Sequence, residues 1–372
     1  MLAGRSRAPV WDLPTRFVHW GLLGTVAIAA ATGYLAPEWW MGVHLWAGYA
    51  VGGLVLVRLV HGLFGPGPSR FASLVVPPRA VLGHMRRLVR GRAQPHFGHN
   101  PAGATMAVAL LVVLIGIVAT GLVVLGGEED LGPLAGLVDY ATGSAAKTVH
   151  YVLAGLLLAM VAVHLLGVMV ESRLLGENLA LAMITGRKRV ADPAPARHRP
   201  ARPRAAASAF VVLAVLIGSG LATLAAIRPP GPPAPPITAA YRAACGECHY
   251  AYHPTLLPAR SWRGLMAGLA DHFGEDASLD GATAREVTDY LTTHSAETRD
   301  TEAANRFRAV TGDRPWRITA TPFWRRKHGG IAAPVFARRA VGAASNCPAC
   351  HLDAETGLFA DQKIAIPEEQ AP

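Results

Sequence analysis

Cysteine is scarce in this chain. Only 4 occur among 372 residues, and all of them sit in two short motifs near the C-terminus. None is left over for a structural disulfide, which excludes a disulfide-built fold. Charge is scarce too. Asp, Glu, Lys and Arg make up 16% of the residues and hydrophobic residues 51%, against roughly 25% charged in a soluble domain. The apolar residues cluster in long runs, so the chain is an integral membrane protein. No aromatic-rich basic domain is present. The net charge of +10 therefore does not signal nucleic acid, and the basic residues sit in loops between apolar runs. The N-terminal stretch MLAGRSRAPVWDLPTR has no short apolar core ending in a small-residue cleavage site. The expectation is an uncleaved first membrane helix.

Five runs are long enough to span a bilayer: 17–35, 44–64, 104–125, 148–170 and 207–227. Trp39, Trp40 and Trp46 fall around the first connection, where interfacial aromatics belong. The connection 65–103 holds Arg70, Arg79, Arg86, Arg87, Arg90 and Arg92. The stretch after the fourth run holds Arg187, Lys188, Arg189, Arg197, Arg199, Arg202 and Arg204. The positive-inside rule predicts that both are cytoplasmic, together with the N-terminus. The connection 126–146 carries Glu128, Glu129 and Asp130, with one lysine, Lys147, directly after it, and is expected outside. An odd number of spans then puts the C-terminal part in the periplasm. Residues 229–236, PPGPPAPP, predict a semi-rigid spacer. From 237 onward the composition is that of a soluble domain, with short amphipathic helices expected at 261–273 and 281–293.

Cys245-Gly-Glu-Cys248-His249 and Cys347-Pro-Ala-Cys350-His351 are both C-x-x-C-H, the c-type haem attachment pattern. The thiols add to the haem vinyl groups and the adjacent histidine ligates iron. Paired C-x-x-C could instead build a zinc site, and one alone a dithiol redox site. A histidine directly after both pairs, on the expected outer side, favours haem. Each iron then needs a sixth ligand or an open site. His253, His272, His294 and His328 are available, and the competing reading of each is a surface histidine. Two histidines per iron favour electron transfer.

The membrane runs hold His19, His44, His61, His150 and His164. Ionisable side chains there are costly and point to function. His150 and His164 are fourteen residues apart, nearly four whole turns, so they share a face roughly 21 Å apart. Topology sorts the histidines by depth. His44 and His150 belong to an outer level, His19 and His164 to an inner one. His61 is turned about 100° from His44 and is read as interfacial. A helical bundle with paired inward histidines is a known way to hold a metal cofactor. Arg58 sits inside the second run. It either snorkels to the headgroups or serves as counter-ion to a haem propionate.

With these residues in place, the first 190 or so positions resemble the bacterial cytochrome b561 and nickel–iron hydrogenase cytochrome b-subunit family. The matching residues are Trp11-Asp12, Arg16-Phe17-Val18-His19-Trp20, Thr32-Gly33, His44 with Gly48, and Arg58 with Gly62 and Gly65. Gly98-His99-Asn100-Pro101 with Gly103, then His150 and His164, complete the set. From about 241 to 367 the chain is similar to the dihaem cytochrome c family. There the marks are the two C-x-x-C-H motifs, Leu257-Pro258, Ser261-Trp262, Asp271-His272-Phe273-Gly274 and Lys327-His328.

The first resemblance implies two b haems in a four-helix bundle, one on His19 and His164 and one on His44 and His150. The second implies two covalent c haems, with His272 and His328 as the better sixth ligands. Which of them serves which haem stays open. The expected fold is all-α. Residues 1–190 form the dihaem b bundle, 191–236 a basic linker, fifth membrane helix and spacer, and 237–372 a periplasmic dihaem cytochrome c domain. The function expected is electron transfer between the quinone pool and a periplasmic acceptor, in the bacterial inner membrane. That acceptor is another cytochrome c or haem protein. Membrane lipid is a further partner, nucleic acid is not, and a homodimer is left open. Two alternatives stand beside this reading. One is the anchor of a larger dehydrogenase or hydrogenase complex feeding electrons to quinone. The other is an enzymatic site on the chain itself, such as superoxide oxidation at the outer b haem.

Overall fold

Asp12 and Pro14 set the first long helix. Asp12 is the N-cap of α1 (Leu13–Tyr34), its carboxylate accepting from the Thr15 amide at 2.9 Å, which satisfies one of the helix's free N–H groups. The same carboxylate takes the Ser69 hydroxyl at 3.1 Å and His61 Nε2 at 2.9 Å. Burial alone would raise its pKa, but the bonds from His61 and Thr15 outweigh burial and hold it at about 2. His61, set aside as a ligand by its angle, is thus the partner that ties the second long helix to the start of α1.

The computed structural model describes residues 5–65, 67–191, 211, 215, 218–220, 223, 235–310 and 316–368. The chain divides into two compact units. One comprises Met1–Leu35, Val43–Gly121 and Lys147–Ala226, and the other Ala36–Gly42, Leu122–Ala146 and Ile227–Pro372. Most of the expected fifth span, 207–227, and most of the 229–236 spacer lie outside the described residues.

In the first unit, α1 is joined by α2 (Met41–Phe64), α3 (Pro78–Val89), α4 (Pro101–Gly127) and α5 (Tyr140–Leu175). Among the described residues, four helices are long and apolar enough to cross a membrane, built on α1, α2, α4 and α5. Their mean hydropathy reaches 3.1 in α4. Val51 and Val55 of α2, Leu114 of α4 and Leu157 of α5 form the seam of the bundle, with Leu22 and Val26 of α1 packed against it. Large apolar side chains such as Phe17, Val112, Val152 and Leu166 stay exposed. Such an exterior suits lipid, which demands no polar outer face. The helices outrun the expected spans, and α5 runs 36 residues, because nothing in its sequence breaks a helix where the apolar run ends.

Two features go beyond the sequence expectation, and the second departs from all-α. The basic connection 65–103 contains α3, amphipathic and rich in arginine. β1 (Arg5–Pro9) and β2 (Arg187–Ala191) form an antiparallel ribbon, Arg5 opposite Ala191 and Pro9 opposite Arg187. The short helix α6 (Leu179–Thr185) aims β2 back at the N-terminus. Its C-cap Gly186 has φ 77°, and a Cβ there would lie 2.6 Å from the Trp11 carbonyl, so glycine alone fits. Strands this short carry no alternation legible in sequence.

The second unit is built from α7 (Ala239–Cys245), α8 (Ala259–Ala267), α9 (Gly281–Thr293), α10 (Glu302–Arg308), α11 (Pro322–His328) and α12 (Ala333–Phe336). Tyr241, Leu257, Trp262, Val287, Leu291 and Phe307 form its core. The helix at 281–293 matches the sequence expectation. The one expected over 261–273 does not extend so far. It ends at Ala267, Gly268 caps it, a 3-10 turn follows at Leu269–Asp271, and Phe273 adopts φ 59°. The amphipathic period cannot reveal that Gly268 stops the helix, since a glycine is also tolerated inside one.

The same unit includes 36–42 and 122–146. Where α4 ends and α5 begins, Gly127 and Gly143 pack backbone to backbone, and a Cβ on Gly127 would meet the Gly143 Cα at 2.7 Å. Lys327 of α11 reaches Glu38 at 3.1 Å, Glu302 at 3.4 Å and Asp361 at 3.5 Å. The Asp361 amide in turn donates to Glu129 at 2.8 Å.

Candidate haem sites

Three of the four long helices, α1, α2 and α5, bring histidines to partners on another helix. In the first unit, His19 of α1 faces His164 of α5 with ring centroids 6.5 Å apart. His44 of α2 faces His150 of α5 at 6.2 Å. In the second unit, His249 faces His272 at 6.1 Å and His328 faces His351 at 6.0 Å. The pairing of the two distal histidines, left open by sequence spacing, is a matter of geometry here. Six ångströms has a chemical meaning. A ligating imidazole nitrogen sits about 2 Å from its metal and the ring centroid about 1 Å beyond, so two rings trans across one ion have centroids about 6 Å apart. All four pairs fit a six-coordinate iron.

The second nitrogen of several rings is already committed. His44 Nδ1 donates to the Ala29 carbonyl at 3.0 Å and lies 3.3 Å from Thr32 Oγ1. His150 Nδ1 donates to the Ile117 carbonyl at 3.1 Å, with Thr120 Oγ1 at 3.1 Å. His249 Nδ1 donates to the Tyr250 carbonyl at 2.8 Å, and His328 Nδ1 to the Trp324 carbonyl at 2.9 Å. Such bonds fix the tautomer and leave Nε2 free to ligate. Trp324 also stacks on His328 at 4.3 Å and 9°, which locks the ring plane. Neighbouring glycines are tight against two of the membrane histidines. A Cβ on Gly33 would come within 3.1 Å of His44, and one on Gly121 within 3.3 Å of His150.

Electrostatics in the second unit suit neutral ligands. Burial, then the charges of His328 and Lys327, pull His351 down to about 4. Burial also lowers His272 and His328. A neutral imidazole is the ligating form. The thiols move the other way, Cys347 to about 12 and Cys245 to about 11, each chiefly by burial. A dithiol redox centre needs a depressed pKa at its reactive thiol, which neither Cys245 nor Cys347 shows. Nor do three His, Cys, Asp or Glu side chains converge as a zinc site would require, among the described residues.

The remaining candidates sort plainly. His253 is fully buried in the core, its Nδ1 2.8 Å from Thr255 Oγ1. His294 caps α9 against Tyr290. Arg58 lies over the Phe71 ring at 4.9 Å and its Nη1 is buried with no partner. Sequence reasoning missed the Trp324 stack and the buried His99. The first carried a faint signal, an aromatic residue four positions before His328. The second stood inside a quoted motif with no role attached.

Paired imidazoles on membrane helices and on a helical domain bearing two C-x-x-C-H motifs define a membrane haem protein of the electron-transfer class. The family model for prokaryotic cytochrome b561 matches residues 10–186, and that for dihaem cytochrome c matches 241–359. The chain belongs to both families, as a fusion of the two. It is similar to a diheme cytochrome c from Rhodobacter sphaeroides, at 41% identity over 33% of this chain and 96% of that one, with a TM-score of 0.29. It is likewise similar to a diheme cytochrome c from Shewanella baltica OS155, at 36% identity over 36% and 95%, with a TM-score of 0.29. No curated protein matches the chain. The families carry haem b in the membrane part and covalent haem c in the C-terminal part.

Proposed function

We propose that the protein passes electrons between the quinone pool and a periplasmic haem protein through two b haems and two c haems. The observation that carries this reading is the set of four histidine pairs, each spaced for one iron. Haem iron supplies the one-electron chemistry when bound. The chain's own residues do the rest. His19 with His164 and His44 with His150 hold two haems at two depths of the bundle. His150 and His164 share one face of α5, about 21 Å apart by helical rise. Cys245 and Cys248 with His249 and His272 hold one c haem, and Cys347 and Cys350 with His351 and His328 hold the other. Two imidazoles per iron leave no open position for a small ligand, which favours electron transfer over catalysis at iron. The N-terminus and the arginine-rich connections face the cytoplasm of the bacterial inner membrane. A fifth helix at 207–227 returns the chain to the periplasm, where c-type haem is attached.

The test is a redox titration of the purified protein with haem b and haem c quantified, followed by addition of a quinol. Equal amounts of the two haem types, and c haems reduced by quinol, are expected. Failure of quinol to reduce any c haem would overturn the proposal. Carbon monoxide should leave the reduced spectrum unchanged if all four irons are six-coordinate. Cys350→Ala should cost the stable attachment of one c haem only, read as a halving of covalent haem on a denaturing gel. Loss of both would mean that the two motifs build a single site.

A further inference from the structure

One end of the membrane bundle holds buried donors with no acceptor. Arg58 Nη1 and His99 Nδ1 both lack a hydrogen-bond partner, an expensive arrangement unless a ligand supplies the acceptor. Their neighbours are already taken. Lys188 Nζ donates to the carbonyls of His96 and Gly98 at 3.1 and 3.2 Å, and Asn100 donates to Glu171.

Helical register places Arg58 beside the inner pair. His44 and His150 face each other, which aligns α2 with α5. From there both helices run toward the start of α1, as the His61–Asp12 and His164–His19 contacts require. Fourteen residues on, α2 presents Arg58 and α5 presents His164. Fourteen residues is nearly four whole turns, so Arg58 and His164 share depth and face with each other as His44 and His150 do. Arg58 is also held in place. Its guanidinium lies over Phe71, and a Cβ on Gly62 would come within 2.8 Å of Nη1 and 2.4 Å of the Phe71 ring. This geometry differs from snorkelling, in which the head of the side chain reaches water.

His99 closes the same end from the loop before α4. Its neighbour Asn100 is tied to Glu171, seven residues and two turns beyond His164 on α5. Trp11 packs edge-on against the His99 ring at 4.6 Å. Burial, then the charges of Arg58, Lys188, His164 and His19, hold His99 at about 4. The ring is therefore neutral, with one N–H to give.

We propose that Arg58 and His99 together bind one haem propionate carboxylate at the His19–His164 site. A carboxylate buried in such a place needs a cation and a further donor; Arg58 and His99 supply these, and Arg16 Nε and Arg87 Nε are further buried donors without a partner. This rests on the reading that His19 and His164 hold a haem. The competing acceptor, a quinone oxygen, is an outcome of the test.

The experiment compares Arg58→Gln, His99→Phe and the double variant in the intact haem-loaded protein. Haem b is quantified first, and each haem's midpoint potential is then measured. A cation and a donor at a propionate favour the reduced haem, so each single variant should lower one b-haem potential by about 59 mV. That is a tenfold change for a one-electron couple. The other potentials should stay put. The double variant should fall short of the sum, because both groups serve one carboxylate. His99→Gln, which keeps a side-chain N–H, should restore most of the shift, and it decides the matter if His99→Phe loses haem. Unchanged potentials with a raised KM for quinol would overturn the proposal in favour of a quinone oxygen. Strict additivity would also overturn it. Absence of the inner b haem from the unsubstituted protein would instead defeat the ligation reading itself.

Discussion

His150→Ala is expected to halve the haem b content and leave haem c untouched. His150 stands opposite His44 at 6.2 Å, and its Nδ1 is anchored on the Ile117 carbonyl. Removing it would take away one of the two ligands proposed for a haem that no covalent bond would retain. The other pair, His19 of α1 with His164 of α5, keeps both members and should keep its haem. The c haems are fixed by thioether bonds in a separate unit, so their attachment is independent of the bundle. Pyridine haemochrome analysis of the purified variant reads both numbers at once. Two b haems per chain after the substitution would mean that the pairing is wrong. Loss of both would mean that the bundle does not fold without His150, and His164→Ala, removing the other pair alone, would separate that case.

Lys327→Met carries the largest expected effect on stability. The ammonium sits among Glu38, Glu302 and Asp361 at 3.1 to 3.5 Å, with its side chain 19% exposed. Burial works against its charge, yet the three carboxylates outweigh burial and raise its pKa. Without the lysine, three carboxylates crowd one another with Glu129 beside them. Breaking a buried ion pair by removing one partner costs about 3–5 kcal/mol. The denaturant midpoint of the variant should fall accordingly, and an unchanged midpoint would show that the cluster is solvated. Glu129 adds a pH signature. Burial first, and Asp361 second, push its carboxyl up to about 8, so the folded protein binds a proton there that the unfolded chain has released. That contribution is fully present below the ordinary glutamate value of 4.5 and is lost as pH rises through about 8. Glu129→Gln should flatten the fall in stability across that window.

Much of this protein is written locally. Four membrane helices follow from runs of apolar residues, because lipid imposes one requirement along a whole segment. The C-x-x-C-H motifs follow from covalent chemistry, which needs its residues adjacent in the chain. The fourteen-residue interval between His150 and His164 is legible because a single helix converts sequence spacing into depth. Topology could then sort His19 and His44 to matching levels without any structure.

What tertiary structure alone decided is partnership across long chain separations. No spacing rule joins His249 to His272 and His328 to His351; packing of separate short helices does so. Arg58 looked equally fit for lipid headgroups or a cofactor. The choice turns on the Phe71 face and on Gly62, which seat its guanidinium inside the protein. His99 was one letter of a family motif until burial left its Nδ1 without a partner. The β1–β2 ribbon joins residues up to 186 positions apart, and the Lys327 cluster joins residues up to 289 apart. The physical reason is the same in each case. Periodicity and covalent motifs act over a few residues, whereas a buried hydrogen bond or ion pair is settled by whatever the whole fold brings within 3 to 4 Å.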